Sequence, residues 1–226
     1  TGGGGLVGKT ISEVLVKAHS VLAPSRKELD LFDFIAVKNF FRDAAPDIII
    51  HCAGIVGGIQ ANIREPVRFL VDNFELGKNV TLAARAAGVQ RLLNLGSSCM
   101  YPREAPNPLR EDYILKGELE PTNEGYAIAK IAIQRLCAYI SHEEPVLQYK
   151  TIVPCNLYGK WDKFNPEYSH MIPALIRKMH EAKTKKARSV AIWGSGKARR
   201  EFMYAGDLAD FIFCAINRFS DLPEII

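Results

Sequence analysis

The sequence predicts an α/β fold: a doubly wound parallel sheet with a smaller substrate-binding lobe. Strand-like and helix-like segments alternate from residue 1 to about residue 155, as in sheets covered by helices on both faces. The run 47–54 is almost continuously apolar, which is typical of a strand buried on both sides. A glycine-rich turn opens the chain and leads into a helix. With 226 residues, 48% of them hydrophobic, the chain can bury a large core.

Composition excludes several classes of protein. The net charge of +4 is not gathered into a tail, so a phosphorylated small molecule is a better expected partner than nucleic acid. No apolar run reaches membrane-spanning length and no signal peptide is visible, so no membrane partner is expected. The five cysteines form no C-x-x-C pair, which predicts reduced thiols in a cytoplasmic protein and neither disulfides nor a metal site.

Both ends of the sequence look cut. The chain opens on its glycine turn without an initiator Met, and it closes on 222–226, which reads as the start of another strand. We expect a piece in which the first strand of the sheet and a C-terminal part, after residue 226, are missing.

The opening turn has glycines at positions 2, 5 and 8, and apolar residues at helical spacing follow it. Backbone amides at such a turn face an anion, and a Cβ would block close approach, so Gly2, Gly5 and Gly8 predict a phosphate cradle. A flexible glycine-rich N-terminus would read the same way.

A short second strand is predicted at 21–23, followed by Arg26. An acidic residue near the end of this strand suits the ribose 2′-hydroxyl of NAD, whereas an arginine suits a 2′-phosphate, so Arg26 favours NADPH. An ordinary solvated cation is the alternative. Asp33 is expected to cap a helix over 34–44.

The middle of the chain predicts a loop at 56–59, a long helix over 65–87 that contains Asn73, and a strand over 90–96. His51 and Cys52, at the end of the earlier strand, read as packed core groups. Ser97 and Cys99 follow the strand 90–96 at its carboxyl end, the edge where open α/β sheets bind ligands. Turn residues are the alternative for this pair.

Tyr126 and Lys130 lie four residues apart in a helix predicted from 124 to 141 and capped by 122–124. That spacing places both side chains on one helix face. An ammonium beside a phenol favours the phenolate, so we expect the Tyr126 pKa to fall toward neutrality and the pair to transfer protons. A surface pair on any amphipathic helix has the same spacing.

The remainder predicts a strand at 148–154, a helix over 170–182, a strand at 189–193 and a last helix over 207–219, with Asp207 in its first turn. We assign residues 1–159 to the nucleotide-binding domain, with the helix 206–219 packing back on it. The segment 160–205 is predicted to be part of the substrate-binding lobe.

Several motifs resemble one family. The glycine turn, the strand-end serine and Tyr-x-x-x-Lys, in that order, are the motifs of the extended, nucleotide-sugar branch of the short-chain dehydrogenase/reductases. The segments 96–102, 120–130, 154–159, 169–175 and 193–196 resemble the GDP-L-fucose synthase family within it, along the whole chain. The resemblance implies a Rossmann domain that binds NADP(H), and a homodimer paired through the helices 65–87 and 124–141.

The resemblance also implies an activity: conversion of GDP-4-keto-6-deoxy-D-mannose to GDP-L-fucose by epimerisation at C3 and C5 and NADPH-dependent reduction at C4. It implies that Tyr126 protonates the C4 oxygen, that Lys130 assists it and bonds the nicotinamide ribose, and that Ser97 bonds the C4 oxygen. Asn73 would support the proton relay behind Lys130.

For epimerisation the resemblance implies Cys99 as base and His170 as acid. The 4-ketone acidifies the protons at C3 and C5, and inversion needs one group on each side of the ring. A thiolate serves as base if its pKa falls near neutrality, and histidine titrates in that range. A buried Cys99 and a helix-terminal His170 without function are the alternatives.

Four further residues are candidate substrate ligands. Arg200 would pair with the GDP diphosphate, because guanidinium groups match phosphate oxygens. Asn156 would contact the sugar or a diphosphate oxygen. The helix residue Lys178 and the loop residue Trp193 complete the set.

Two other functions stay open from the sequence. One is a nucleotide-sugar 4-epimerase or 4,6-dehydratase of the same fold that retains NAD; such relatives carry a different pattern at 97–99 and an acidic residue in place of Arg26. The other is a non-enzymatic NADP sensor, which would have no use for the proton donor Tyr126.

Overall fold

The computed structural model describes residues 1–165, 169–192, 194–197 and 199–226. The helices within these ranges are α1 Leu6–Leu15, α2 Phe34–Ala44, α3 Ile59–Arg64, α4 Pro66–Ala86, α5 Glu124–Glu143, α6 Met171–Thr184 and α7 Ala205–Asn217. The strands are β1 Ile49–His51, β2 Arg91–Leu95, β3 Gln148–Ile152, β4 Asn156–Tyr158 and β5 Phe202–Tyr204.

The main sheet is parallel and has the order β1-β2-β3. At one edge Thr1 pairs beside β1: the Cys52 N–H donates to the Thr1 carbonyl at 3.2 Å. At the other edge Ile226 pairs beside β3, where its N–H donates to the Thr151 carbonyl at 2.9 Å. The strand-like reading of the last residues is thereby confirmed. The doubly wound α/β class is confirmed as well, and it explains the apolar sequences of the strands.

Helices cover both faces of this sheet. Leu92 of β2 points into a core shared with α2, α4 and α5, whereas Leu93 and Leu95 point into a core shared with α1 and α7. Successive side chains of a strand face opposite sides, so a strand between two helical layers needs apolar residues at nearly every position. The buried Leu208 and Ile212 of α7 join the second core, so the last helix packs against α1 and the main sheet.

The helices α4 and α5 pack closely together. A Cβ added to Gly77 of α4 would lie 2.5 Å from Cγ1 of Ile133 on α5. A Cβ on Gly125, in the first turn of α5, would lie 3.0 Å from the Pro66 carbonyl oxygen. Glycine at these two contacts lets the backbones approach, which fixes α5 and the side chains that it carries relative to the sheet.

Several predicted elements differ from the structure. The residues 21–23 form no strand, and neither do the described residues of 189–193, because three to five apolar residues give no ladder without a paired neighbour. The sequence analysis missed α3, part of which was read as a loop, and the parallel pair β4–β5. Asp33 caps α2 as predicted, since its carboxylate accepts the Ala36 N–H at 3.0 Å.

Within the described ranges, no helix is long and apolar enough to cross a membrane. No group of three or more His, Cys, Asp or Glu side chains there comes together in a way that could hold a metal ion.

Candidate active site

Ser97 and Cys99 lie where β2 ends, as the sequence predicts. After Gly96 the chain turns into a short 3-10 helix, Ser98–Met100, with Ser97 at its N-cap. The Cys99 thiol donates to the Ser97 hydroxyl oxygen at 3.2 Å. The sheet positions this turn, because the Gly96 N–H donates to the Ile152 carbonyl at 2.7 Å.

Tyr126 and Lys130 come to the same place from α5. The buried Lys130 ammonium donates to the Leu95 carbonyl at 2.7 Å and lies 5.8 Å from the Tyr126 ring centroid. The Ser97 side chain lies close enough to the Tyr126 hydroxyl to lower its pKa. We call Ser97, Cys99, Tyr126 and Lys130 the strand-end cluster.

The predicted direction of the Tyr126 pKa is wrong for this structure. Burial raises the pKa of the Tyr126 hydroxyl, and the neighbouring Cys99 thiol raises it further, while the Ser97 side chain acts the other way. The Lys130 ammonium does not offset burial here, since it is bonded to the Leu95 carbonyl and 5.8 Å from the ring centroid. The Tyr126 hydroxyl is therefore protonated and neutral in this state.

Lys130 and Cys99 are also shifted by burial. Burial lowers the pKa of Lys130 to about 8, against the opposing effects of the Cys99 and Cys52 thiols. Burial raises the pKa of the Cys99 thiol, although its hydrogen bond with Ser97 and the Lys130 charge oppose the rise. The expected near-neutral Cys99 thiolate is thus absent in this state, because desolvation outweighs the nearby cation.

Asn73 lies behind Lys130 but bonds to the backbone. Its side-chain oxygen accepts the Ile55 N–H at 2.8 Å, and its amide donates to the carbonyls of Ile55 and Phe69. A Cβ on Gly54 would lie 3.3 Å from the Asn73 oxygen and 3.8 Å from the Lys130 nitrogen, so both groups face the same glycine. Asn73 fixes the loop that follows β1 beside Lys130.

The glycine turn fits a dinucleotide. Gly2 has φ +75°, and a Cβ there would lie 2.5 Å from the Ala53 nitrogen; a Cβ on Gly8 would lie 2.2 Å from the Gly2 carbonyl oxygen. A Cβ added to Gly4 would have no atom within 4 Å. Gly5 forms the N-cap of α1. The turn packs tightly on the sheet and leaves its outer side open at a helix N-terminus, the arrangement that receives a pyrophosphate.

Among the described residues, no hydrogen bond joins the remaining predicted residues to the strand-end cluster. Arg26 is exposed in a turn. His170 is the exposed N-cap of α6. The Asn156 amide donates to the Glu201 carbonyl at 2.9 Å, and the Arg200 guanidinium to the Arg199 carbonyl at 2.7 Å.

The last two candidate substrate ligands are Lys178 and Trp193. The Lys178 ammonium on α6 lies 3.5 Å from the Ala191 carbonyl oxygen. Trp193 lies outside the described residues. We call His170, Asn156, Lys178 and Arg200 the outer residues.

A comparison with known families agrees with this geometry. The model of the NAD dependent epimerase/dehydratase family matches residues 1–226. The chain belongs to this family.

Proteins similar in sequence include two synthases of GDP-sugars. The chain is 54% identical to a GDP-L-colitose synthase from Yersinia pseudotuberculosis, a match that covers 100% of this chain and 74% of the relative. It is 44% identical to a GDP-L-fucose synthase from Azorhizobium caulinodans, covering 100% of this chain and 71% of the relative. A crystal structure of a GDP-L-fucose synthetase from Naegleria fowleri bound to NADP superposes with a TM-score of 0.85 at 28% identity, covering 95% of this chain and 71% of that one.

One group beside the strand-end cluster was read only as core. His51 is buried there; burial lowers its pKa, and the Lys130 charge lowers it further. Its imidazole contacts the Thr1 hydroxyl at 2.8 Å.

Proposed function

We propose that this chain is the GDP-L-fucose synthase part of its family: it epimerises GDP-4-keto-6-deoxy-D-mannose at C3 and C5 and reduces the C4 ketone with NADPH. The observation that carries the proposal is the hydrogen-bonded strand-end cluster, with Lys130 buried, beside a glycine turn that fits a dinucleotide. The named relatives favour this activity over an NAD-retaining 4-epimerase or dehydratase.

In the reduction, Tyr126 gives its proton to the C4 oxygen. A raised pKa keeps the phenol protonated until negative charge develops on that oxygen. Ser97 donates a second hydrogen bond to the same oxygen, and Lys130 stabilises the tyrosinate that remains. When bound, NADPH supplies the hydride. Gly2, Gly5 and Gly8 would hold its pyrophosphate, Lys130 its nicotinamide ribose, and Arg26 its 2′-phosphate.

In the epimerisation, Cys99 removes the proton next to the ketone and His170 returns one on the opposite face. Because burial raises the Cys99 pKa, the thiol is the resting form. The Lys130 charge and the Ser97 hydroxyl are the groups that favour its ionisation. The outer residues Asn156, Lys178 and Arg200, with Trp193, would hold the sugar and the diphosphate.

A second candidate is synthesis of GDP-L-colitose. The 54% identity to a GDP-L-colitose synthase exceeds the 44% identity to the GDP-L-fucose synthase, and this difference favours it. Colitose is fucose without the 3-hydroxyl group, so its precursor has no stereocentre at C3 and needs inversion at C5 alone. The same strand-end cluster would serve both reactions.

The test is to give the full-length protein NADPH with GDP-4-keto-6-deoxy-D-mannose, or with its 3-deoxy analogue, and to identify each product by NMR. NADPH loss with GDP-L-fucose formed from the first substrate is the expected result. A kcat/KM at least tenfold higher for the 3-deoxy substrate would move the assignment to GDP-L-colitose. NADPH loss with an unepimerised product would leave Tyr126 and Lys130 in place and remove Cys99 and His170.

We also propose that the protein is a homodimer paired through α4 and α5. Both helices carry exposed apolar residues at helical spacing: Val67, Val71 and Phe74 on α4, and Ile128 and Tyr139 on α5. An apolar stripe of this kind suits a self-complementary helical interface. Light scattering should give a dimer mass for the wild type and a smaller mass for Val71→Asp; a wild-type monomer would contradict the interface.

We further propose that the chain divides at about residue 159 into a nucleotide-binding domain and a smaller substrate-binding lobe. The separate β4–β5 pair is consistent with this division. A cytoplasmic location is supported by five cysteines that are all free.

A further inference from the structure

The loop between β4 and α6 is fastened to the first helix. The ammonium groups of Lys9, on α1, and of Lys160 lie 4.6 and 4.4 Å from the Trp161 ring centroid. Lys160 also lies 3.5 Å from a carboxylate oxygen of Glu13 on α1. A Cβ on Gly159 would be 3.2 Å from the Leu6 side chain. The loop is therefore held against the helix whose N-terminus faces the predicted dinucleotide.

Asp162 is the next residue of this loop, and only one of its carboxylate oxygens is used. Oδ1 accepts the Lys163 N–H at 2.7 Å. Oδ2 is buried and has no hydrogen-bond partner among the residues that the structure describes. A buried, unpaired carboxylate oxygen costs free energy unless another state of the protein supplies its partner.

His170 lies at the far end of the same loop, as the N-cap of α6. The loop folds back toward the start of α6: the Ser169 N–H donates to the Asn165 carbonyl at 2.9 Å, and Arg177 of α6 donates to the Phe164 carbonyl at 2.9 Å. Burial raises the pKa of the Asp162 carboxyl, and the Lys163 N–H and the charges of His170 and Lys163 lower it. The carboxylate and the imidazole therefore lie within electrostatic reach of each other.

We propose that Asp162 is a positioning residue for His170. Its second carboxylate oxygen accepts an imidazole N–H, which holds the ring in the orientation that proton donation requires. This inference rests on the proposed epimerisation. A carboxylate that orients a histidine is a recurrent arrangement, and the anchoring on α1 fixes Asp162 relative to the cofactor site.

The proposed epimerisation moves one proton off the sugar and another onto it. The Cys99 thiolate takes the proton from the carbon next to the ketone, and the C–H electron pair moves into an enolate on the C4 oxygen. The enolate then forms a new C–H bond on the opposite face with the proton of the His170 imidazolium. The imidazole becomes neutral, and its remaining N–H stays hydrogen-bonded to Asp162. Solvent then returns the proton from the Cys99 thiol to the imidazole.

The test uses Asp162→Asn in the full-length enzyme, because the amide oxygen still accepts the Lys163 N–H while the charge is lost. Formation of GDP-L-fucose from the keto-sugar measures epimerisation plus reduction. Oxidation of GDP-L-fucose by NADP⁺ measures the C4 step alone. We expect the first kcat to fall on the order of tenfold to a hundredfold, KM to stay within about twofold, and the second rate to stay within about twofold. Asp207→Asn, in the first turn of α7, is the matched control and should change neither rate.

A double-mutant cycle separates positioning from folding. In a His170→Gln background, Asp162→Asn should cause no further loss, because the histidine that it positions is absent. Equal losses in both reactions, or additive losses in the cycle, would overturn the inference. A wild type that makes GDP-L-fucose alongside a fully active Asp162→Asn would overturn the inference and leave the proposed function standing. A wild type that makes no GDP-L-fucose but oxidises or reduces at C4 would overturn both.

Discussion

The strand-end cluster and the outer residues are held in different ways. Ser97 and Cys99 lie on a turn bonded to β3, and Lys130 is bonded to the last residue of β2, so the core of the domain sets their positions. His170 and Arg200 are exposed, on a helix N-cap and in a loop. We infer that the fold prepares the reduction site in advance, whereas substrate contacts organise the outer residues.

The largest expected effect on activity comes from a substitution in the strand-end cluster. Tyr126→Phe removes the proton donor and retains the ring that packs edge-to-face on Phe69, with 6.5 Å between the ring centroids. C4 reduction should fall on the order of a hundredfold to ten-thousandfold, because general acid catalysis contributes that much. In D₂O without NADPH, deuterium should still enter C3 and C5 of the keto-sugar.

Tyr113→Phe is the matched control, since Tyr113 lies in a separate 3-10 turn. An equal loss of deuterium incorporation in Tyr126→Phe would mean that the two half-reactions share Tyr126.

Lys130→Met separates function from stability within the cluster. Reduction should be lost, yet the variant should be more stable than the wild type by about 1–3 kcal/mol at pH 7, because the buried ammonium is removed. The folded pKa of about 8 lies below the ordinary lysine value of 10.5, so the unfolded chain binds more protons between these two pH values. The cost is complete below pH 8 and fades toward pH 10.5.

Urea unfolding at pH 7 and pH 10 measures this difference. The stability advantage of Lys130→Met should shrink at the higher pH. An advantage that stays constant with pH would show that burial of the charge is not its source.

Among the outer residues, Arg200 should give a binding effect. Arg200→Ala should raise the KM for the GDP-sugar about tenfold and leave kcat within about threefold, since a hydrogen bond to a charged group contributes about 1.5–3 kcal/mol. Arg188→Ala, another exposed arginine of the basic region after α6, is the control. Steady-state kinetics decides the matter: a large drop in kcat with unchanged KM would place Arg200 with the preformed cluster.

The smallest effect concerns the framework under the cluster. Gly77→Ala should destabilise the fold by about 1–3 kcal/mol, because the new Cβ would lie 2.5 Å from Ile133 Cγ1 at the contact between α4 and α5. Gly58→Ala is the control: no atom lies within 4 Å of a Cβ there, so its effect should stay within about 0.5 kcal/mol. Thermal unfolding compares the two variants.

The sequence was sufficient to predict which side chains meet where their positions follow from a strand end or a helix face. Ser97 and Cys99 follow a buried strand, and Tyr126 and Lys130 share a helix face, so their meeting could be predicted from the topology of a parallel sheet. The directions of the Tyr126 and Cys99 pKa values could not, because they depend on desolvation by residues distant in sequence. The role of Asp162 escaped for a similar reason: its significance is an unpaired buried oxygen, a property of packing.

Hydrogen–deuterium exchange of the full-length enzyme, with and without GDP-L-fucose and NADP⁺, tests the central comparison most directly. Peptides that contain β2 with its following turn and the first turns of α5 should already be protected without ligands and change little. Peptides from the start of α6 should gain protection by at least tenfold when the nucleotide sugar binds. Equal gains in both regions, or a strand-end cluster that is protected only with ligands, would contradict a preformed reduction site.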